Sequence, residues 1–171
     1  MQLKPAVNKT DHIQGNKNAT VELVEFGDYQ CPHCGAAYPV IKEIQETFGD
    51  QIKFIFRNFP LSEIHPAARP AAIAAEAAAL QDKFWEMHDT IFENQNRLSS
   101  NFLLKLAENL SLDITQFNTD IESDSMNEKV DNDFESGVRS GVNGTPTFFV
   151  NGKRFDGGAV DLLEMLKESA K

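Results

Sequence analysis

Between residues 21 and 59 the hydrophobic pattern changes its period twice, and this change restricts the fold more than any other feature. Residues 21–26 alternate in polarity and then become apolar, which is typical of a strand that enters a core. From Cys34 to Phe48 apolar residues recur at helical spacing, and residues 51–59 form a second strand pattern that Pro60 ends. Strand, helix and strand in this order predict parallel pairing with a right-handed crossover.

The rest of the chain predicts a helical segment and then a return to the sheet. Residues 62–126 contain no strand pattern, and residues 67–79 include nine alanines. Residues 126–140 predict a further helix. Asn151-Gly152 predicts a type I′ turn between two short strands, and an amphipathic helix then ends at Lys171.

The predicted fold class is therefore α/β, in the order β-α-β, helical insertion, α and β-β-α. We assign residues 12–61 and 127–171 to the α/β core and residues 62–126 to an all-helical insertion. Residues 1–11 form an N-terminal extension in this scheme.

An excess of acidic residues limits the classes of partner. The chain has 26 Asp and Glu against 16 Lys and Arg, a formal net charge of −10, so we expect no nucleic-acid partner. No apolar run approaches the ~20 residues that span a bilayer, and we expect no membrane partner. Residues 1–12 lack the apolar segment of a secretory signal, which predicts a cytoplasmic location. The alternative is a periplasmic or exported location, if a signal peptide has been removed.

The two cysteines stand three positions apart in the sequence CPHC. A pair this close is typical of redox or metal chemistry rather than of a disulfide-stapled scaffold. Cys31 lies at the predicted helix start, where the helix dipole stabilises a thiolate, and Pro32 takes the first helical position. Cys34 follows one turn later, so the pair is able to cycle between dithiol and disulfide without a bound cofactor. His33 adds positive charge when protonated, or is simply an exposed polar residue.

The position of the pair also predicts that its two members differ. We expect Cys31 at the exposed tip of the helix, with a pKa below the ordinary ~8.5 of a thiol. We expect Cys34 to point back along the apolar stripe of the helix. Cys31 is then the thiol that attacks a substrate, unless the pair serves a redox sensor that has no turnover.

A zinc site is the main alternative to redox chemistry. A structural zinc ion needs four ligands, and the chain has no second cysteine pair. Two histidines would have to complete the site, but none has the spacing of a metal-binding motif; the four are His12, His33, His65 and His88. We therefore predict no metal site, and we expect His65 and His88 to be structural.

Two segments resemble the DsbA-like branch of the thioredoxin superfamily: EFGDYQCPHC at residues 25–34 and GTPTFFVNG at residues 144–152. They lie more than a hundred residues apart and occur in the order of that family, and FWEMH at residues 84–88 also matches its pattern. The resemblance covers residues 12–170 and is closest to a subgroup that occurs both alone and fused to sodium/proton antiporters.

The resemblance implies a thioredoxin fold interrupted by a helical domain, with thiol–disulfide exchange as the activity. It implies that Cys31 is the nucleophile, that Cys34 is the resolving cysteine, and that Glu25 is a buried acid beneath Cys34. His33 joins the catalytic group in this scheme, and Pro39 matches a proline that kinks the helix.

The second segment implies a site for substrate. Pro146 matches the cis-proline that faces the cysteine pair, and Thr145 precedes it. With Pro32, these residues are the expected substrate-binding group. The implied partners are protein or peptide thiols and disulfides, with a small thiol or a redox-recycling protein as a further candidate. The best-known periplasmic DsbA enzymes have Val before the cis-proline and carry a signal peptide. This sequence has Thr145 at that position and shows no signal peptide, which leaves open whether the protein is an oxidase, a reductase or an isomerase.

Three further expectations concern charged and aromatic side chains. Glu25 is either a strand-end carboxylate in water or a paired or functional acid, because its neighbours are apolar. We place Lys53 or Arg57 on the same face as its partner. The aromatic residues near Trp85 predict core, and the acidic residues 120–133 predict a solvated helical face.

Overall fold

The computed structural model describes residues 1–171, which form a five-stranded sheet with helices on both faces. The strands are β1 (Ile13–Gly15), β2 (Val21–Gly27), β3 (Ile52–Asn58), β4 (Thr147–Val150) and β5 (Lys153–Phe155). The helices are α1 (Pro32–Phe48), α2 (Ala68–Ala79), α3 (Phe84–Glu93), α4 (Ser100–Asn109), α5 (Ile114–Asp120), α6 (Asp124–Arg139) and α7 (Ala159–Ser169). Two 3₁₀ turns cover Gly49–Gln51 and Gln95–Arg97.

The predicted α/β class and its order of elements are confirmed. The sheet order is β1-β3-β2-β4-β5, and β2 and β3 are the parallel pair. β1 was not predicted, because three residues are too few for a periodic pattern; it pairs antiparallel with β3 at the edge of the sheet. Asn151 and Gly152 both have positive φ, as the predicted type I′ turn requires.

Five helices, α2 to α6, lie between β3 and β4. The first four, α2 to α5, lie in the predicted all-helical insertion, residues 62–126, which we call the helical segment, and α6 is the further helix predicted at residues 126–140. The alanines of α2 are buried, and their small side chains let this helix pack against α3 and α6. α6 begins at Asp124, two residues before its predicted start, because the hydroxyl of Ser123 accepts the amide of Met126. No helix is long and apolar enough to cross a bilayer.

Two hydrophobic clusters occupy the two faces of the sheet, because successive residues of a strand point in opposite directions. Leu23 belongs to the larger cluster, together with α1, α7 and the helical segment. Val24 and Phe26 belong to the smaller cluster. The predicted aromatic core is confirmed, since Phe84 is buried in the larger cluster and Trp85 packs against it.

Two expectations about charged and terminal residues change in the structure. The acidic residues 120–133 were predicted to be solvated, which is wrong for Asp120 and Asp133, since both are buried. Asp120 accepts a hydrogen bond from the Gln116 side chain, and Asp133 accepts the amide of Asn58 and two hydrogen bonds from Lys129. Residues 1–11 pack on the sheet, where the amide of Leu3 bonds the Gly152 carbonyl at 2.8 Å. The boundaries of the helical insertion stay a prediction.

Candidate active site

The loop between β2 and α1 is shaped by one buried carboxylate. Asp28 Oδ1 accepts the amides of Gln30 at 2.7 Å and Cys31 at 3.1 Å, which forms a tight turn just before the helix. Cys31 is the N-cap of α1, and Pro32 follows at its first position, where the missing amide costs nothing. α1 continues past Pro39 to Phe48, so the cysteine pair opens a long helix.

Both cysteines are free thiols, and both are buried. Cys34 is fully covered, and its sulfur accepts the amide of Asp28 at 3.5 Å. The prediction that Cys31 lies at an exposed tip is wrong, because only 4% of its surface is accessible. The loop before β4 covers it: Cys31 Sγ lies 3.6 Å from the carbonyl oxygen of Thr145. The peptide bond between Thr145 and Pro146 is cis.

The surroundings shift the pKa values of the two thiols in opposite directions. The pKa of Cys31 falls to about 5, first because the Cys34 thiol donates a hydrogen bond to it, and then because the side chain of Thr145 and the amides of Cys34 and His33 point at it. These bonds outweigh burial, which acts the other way. Burial is the main cause that raises the pKa of Cys34. The predicted low pKa of Cys31 is therefore confirmed.

Glu25 is buried beside this pair without a partner. Its exposed fraction is 3%, and Oε1 has no hydrogen bond. Burial, and then the Cys31 thiolate, raise the pKa of Glu25 to about 8. The reading of Glu25 as a carboxylate in water is therefore wrong.

The predicted partners of Glu25 are wrong as well, and strand register explains why. Glu25 pairs with Phe56 of β3 and Phe148 of β4, so the side chains beside it on its own face are apolar. Lys53 and Arg57 lie one residue out of phase and point to the opposite face. Lys53 pairs with Glu22 instead, and Arg57 binds the carboxylate of Asp11 in the N-terminal segment.

The remaining predicted site residues surround the pair at the surface. His33 and Pro32 are exposed, while Thr145 and Pro146 are half-buried. A groove of about 450 Å³ runs beside them, and its lining includes His33, Ala37, Val40, Thr145, Pro146 and Ala159. The hydroxyl of Thr145 is buried and has no hydrogen-bond partner.

Three histidines are engaged elsewhere. His12 Nε2 lies 2.8 Å from Glu76, His65 Nδ1 lies 2.8 Å from Asp28, and His88 Nδ1 lies 2.9 Å from the Tyr29 hydroxyl. Burial lowers the pKa of His88 well below its ordinary value. The structure contains no group of three or more histidine, cysteine or acidic side chains that could hold a metal ion.

Two residues of this region were not predicted from the sequence. Asp28 Oδ2 accepts the Leu61 amide at 2.9 Å, which joins the redox loop to the segment after β3. Gln95, from the turn between α3 and α4, donates to the carbonyl of Cys31 at 2.7 Å. An aspartate two residues before Gln30 favours a turn in which its side chain accepts the following amides, and sequence reasoning could have used this signal. Nothing local to Gln95 indicates its contact.

A sheet of this order with a CxxC dithiol at the start of α1 defines the class of thioredoxin-fold proteins. A family model described as "Thioredoxin" matches residues 7–167. The chain therefore belongs to the thioredoxin family, and its fold and dithiol place it with the DsbA-like thiol–disulfide oxidoreductases.

Solved structures of this class resemble the chain over nearly its whole length. Oxidised BdbD from Bacillus subtilis has a TM-score of 0.82 and 27% identity, covering 94% of this chain and 91% of its own. The thiol-disulfide exchange protein alpha-DsbA2 from Wolbachia pipientis has a TM-score of 0.82 and 29% identity, covering 95% of this chain and 86% of its own.

The curated relatives are longer proteins. The Na(+)/H(+) antiporter NhaA 3 of Salinispora tropica is 41% identical over 147 residues, which cover 86% of this chain and 22% of that protein. The chain thus spans about a quarter of the length of the curated relatives that it matches. This agrees with the predicted subgroup, which occurs both alone and fused to antiporters.

Proposed function

We propose that this chain exchanges disulfides with protein or peptide partners through Cys31 and Cys34. The observation that supports the proposal is the pairing of a low-pKa thiol with a buried, high-pKa thiol. A thiolate is the reactive form of cysteine, and a pKa of about 5 makes Cys31 a thiolate at neutral pH. The cysteine pair itself carries the two electrons that are exchanged with the substrate, so the proposal needs no bound cofactor.

The exchange has two steps that balance in atoms and electrons. The Cys31 thiolate attacks one sulfur of a substrate disulfide, which forms a mixed disulfide and releases a substrate thiolate. The Cys34 thiol loses its proton and attacks Cys31 Sγ, which releases the second substrate thiolate and forms the Cys31–Cys34 disulfide. The substrate gains two electrons, the protein loses two, and the reverse sequence oxidises a dithiol.

Glu25 is the proposed acceptor of the Cys34 proton. The pKa of Cys34 is raised, so the second step needs a base within the buried site. Glu25 has a free oxygen there. With a pKa of about 8, about a tenth of Glu25 is ionised at pH 7, and this ionised form accepts the proton. Glu25→Gln should slow release of the mixed disulfide by about 10²–10⁴-fold and leave its formation unchanged. Quenched-flow mass spectrometry measures both steps, and an unchanged release rate would contradict this role.

The proposed substrate site lies where Pro32, Thr145 and Pro146 surround Cys31. The carbonyl of Thr145 accepts a hydrogen bond from the Cys31 thiol. Once Cys31 is a thiolate it no longer donates, and the Thr145 backbone is then available to an extended peptide. The groove beside His33 and Val40 would receive the side chains of that peptide.

We further propose that the compartment decides the direction of exchange. In a reducing cytosol the pair would act as a reductase or a redox relay, and in an exported protein it would act as an oxidase. The reduction potential of the Cys31–Cys34 pair against glutathione distinguishes the two. A redox-recycling protein or a small thiol would then restore the pair.

The experiment that tests this function compares two cysteine variants. Cys34→Ser should accumulate a covalent adduct with an oxidised peptide, because the mixed disulfide cannot be resolved. Cys31→Ser should trap almost none, because a buried thiol of raised pKa reacts slowly. Intact-mass spectrometry after incubation measures the adducts.

Two outcomes would contradict the proposal. Equal trapping by both variants would remove the division of roles between the cysteines. Failure of catalytic amounts of wild-type protein to accelerate insulin reduction by dithiothreitol would indicate a sensor without turnover.

A further inference from the structure

One side chain of the helical segment bonds the backbone of the redox loop at two points. Gln95 lies in the 3₁₀ turn Gln95–Arg97, more than sixty residues beyond Cys31. Its Nε2 atom donates to the Cys31 carbonyl at 2.7 Å and to the Tyr29 carbonyl at 3.0 Å. One amide group therefore holds two carbonyls of the loop that carries the nucleophile.

Gly35 makes room for this contact. A Cβ atom at position 35 would overlap the side-chain amide of Gln95, and it would lie 2.9 Å from Cδ. The amide of Gly35 also donates to the Cys31 carbonyl, at 3.0 Å. The Cys31 carbonyl thus accepts two hydrogen bonds, one within α1 and one from the helical segment.

Other contacts join the same loop to the helical segment, but they end on other residues. Asp28 Oδ2 lies 2.8 Å from His65 Nδ1, Gln30 accepts the Ala67 amide at 2.7 Å, and the Tyr29 hydroxyl lies 2.9 Å from His88 Nδ1. Gln95 is the side chain of that segment that bonds the backbone of Cys31. Because the Cys31 carbonyl is part of the first turn of α1, its orientation is tied to that of the next amides along the turn.

We propose that Gln95 is a positioning residue for disulfide exchange, which holds the first turn of α1 so that the amides of His33 and Cys34 point at Cys31 Sγ. The inference rests on the proposed function and adds a residue from the helical segment to it. Amides that point at a sulfur stabilise its negative charge, so any loosening of this turn weakens the thiolate. A side chain that served only to stabilise the fold would leave the Cys31 thiolate unchanged.

The test is a double-mutant cycle on Gln95 and Gly35, read by titration of thiolate absorbance. Gln95→Ala should raise the pKa of Cys31 by about one unit. This shift lowers the thiolate fraction about tenfold at any pH well below the wild-type pKa. Gly35→Ala should cause a similar shift, because its Cβ displaces the flexible end of Gln95. The double variant should shift no further than either single variant, since both changes remove the same contact.

Two additional variants keep the test independent of folding defects. Gln45→Ala is the matched control, because Gln45 lies on α1 but its side chain bonds Gln14 at 2.8 Å instead of the redox loop. It should leave the Cys31 titration unchanged. Gln95→Met keeps the side-chain length and loses both donors without adding a charge, so it should raise the pKa of Cys31 even if Gln95→Ala does not fold.

The outcomes separate this inference from the proposed function. If wild-type Cys31 titrates above pH ~8, as an unperturbed thiol does, the proposed function fails whatever Gln95 does. If wild-type Cys31 titrates low and neither Gln95 variant changes it, the positioning role alone is overturned. Additive shifts in the double variant, or an equal shift in Gln45→Ala, would also overturn it.

Discussion

At the scale of single residues, burial alone does not decide the charge of the redox site. Cys31 and Glu25 are both buried, yet the pKa of Cys31 is lowered and that of Glu25 is raised. Cys31 receives hydrogen bonds from the Cys34 thiol and from two backbone amides, and these stabilise its charge. Glu25 is enclosed by apolar neighbours and has one oxygen without a partner, so its neutral form is favoured.

This difference gives Glu25 a measurable effect on stability. The folded protein keeps the Glu25 proton up to a pH of about 8, whereas an unfolded chain loses it near 4.5. Folding takes up a proton in this window, so Glu25 makes the protein less stable as pH rises through it. Glu25→Gln should therefore gain stability relative to the wild type, by up to about 1.4 kcal/mol per pH unit.

Urea unfolding under reducing conditions, at several pH values across the window, measures this gain. Cys31 contributes the opposite slope, because its folded pKa is lowered, and this slope is common to both proteins. Glu22→Gln is the control, since Glu22 is part-exposed and paired with Lys53. If the free energies of unfolding of the wild type and of Glu25→Gln change with pH by the same amount, Glu25 does not hold its proton in the folded state.

At the scale of elements, capping side chains decide where a helix begins, whereas packing against neighbouring elements decides which residues fit on its buried face. Ser99, Asp113 and Ser123 each cap a helix by accepting an amide three residues on. Gly137 is the contrasting case, because it lies inside α6 where glycine weakens a helix. A Cβ there would lie 2.6 Å from the ring of buried Phe59. The glycine lets α6 approach the sheet.

Gly137→Ala should therefore destabilise the protein by about 1–3 kcal/mol, because overpacking in a filled core outweighs the gain in helix propensity of about 1 kcal/mol. Thermal unfolding followed by circular dichroism measures the change. Asn132→Ala, at an exposed position of the same helix, should change stability by about 0.5 kcal/mol or less. A Gly137→Ala variant that is more stable than the wild type would show that the ring moves freely.

At the scale of the whole molecule, one buried arginine joins three distant parts of the chain. Arg57 of β3 makes two hydrogen bonds to Asp11, at 2.9 and 2.8 Å. It also donates to the carbonyls of Pro5 and Ala6 and to the hydroxyl of Ser136 in α6. Burial raises the pKa of Asp11, but the bonds and charge of Arg57 bring it below its ordinary value.

Arg57→Met should cost about 3–5 kcal/mol, because it leaves the Asp11 carboxylate buried without its partner. Lys53→Met is the matched control on the same strand: its pair with Glu22 is part-exposed and should be worth about 1 kcal/mol or less. Guanidinium unfolding measures both variants. A loss for Arg57→Met no larger than the control would mean that residues 1–11 are not held by this pair.

The sequence by itself determined the features that depend on neighbouring residues. The strand–helix–strand order, the Asn151-Gly152 turn and the placement of the CPHC pair at the start of α1 all follow from periodicity and turn chemistry over a few residues. The ends of α1 and α7 and both ends of α6 were predicted within two residues for the same reason. The low pKa of Cys31 follows from the CPHC spacing, which brings the Cys34 thiol to it, and from its place at a helix start.

The tertiary structure alone decided which side chains meet across the chain. Glu25 lacks a basic partner because one step of strand register separates its face from that of Lys53 and Arg57. Cys31 is covered because a loop more than a hundred residues away packs over it. Gln95 bonds its carbonyl from the turn between α3 and α4. Local patterns set the direction of a side chain within its own element, but what it contacts depends on how the elements pack together.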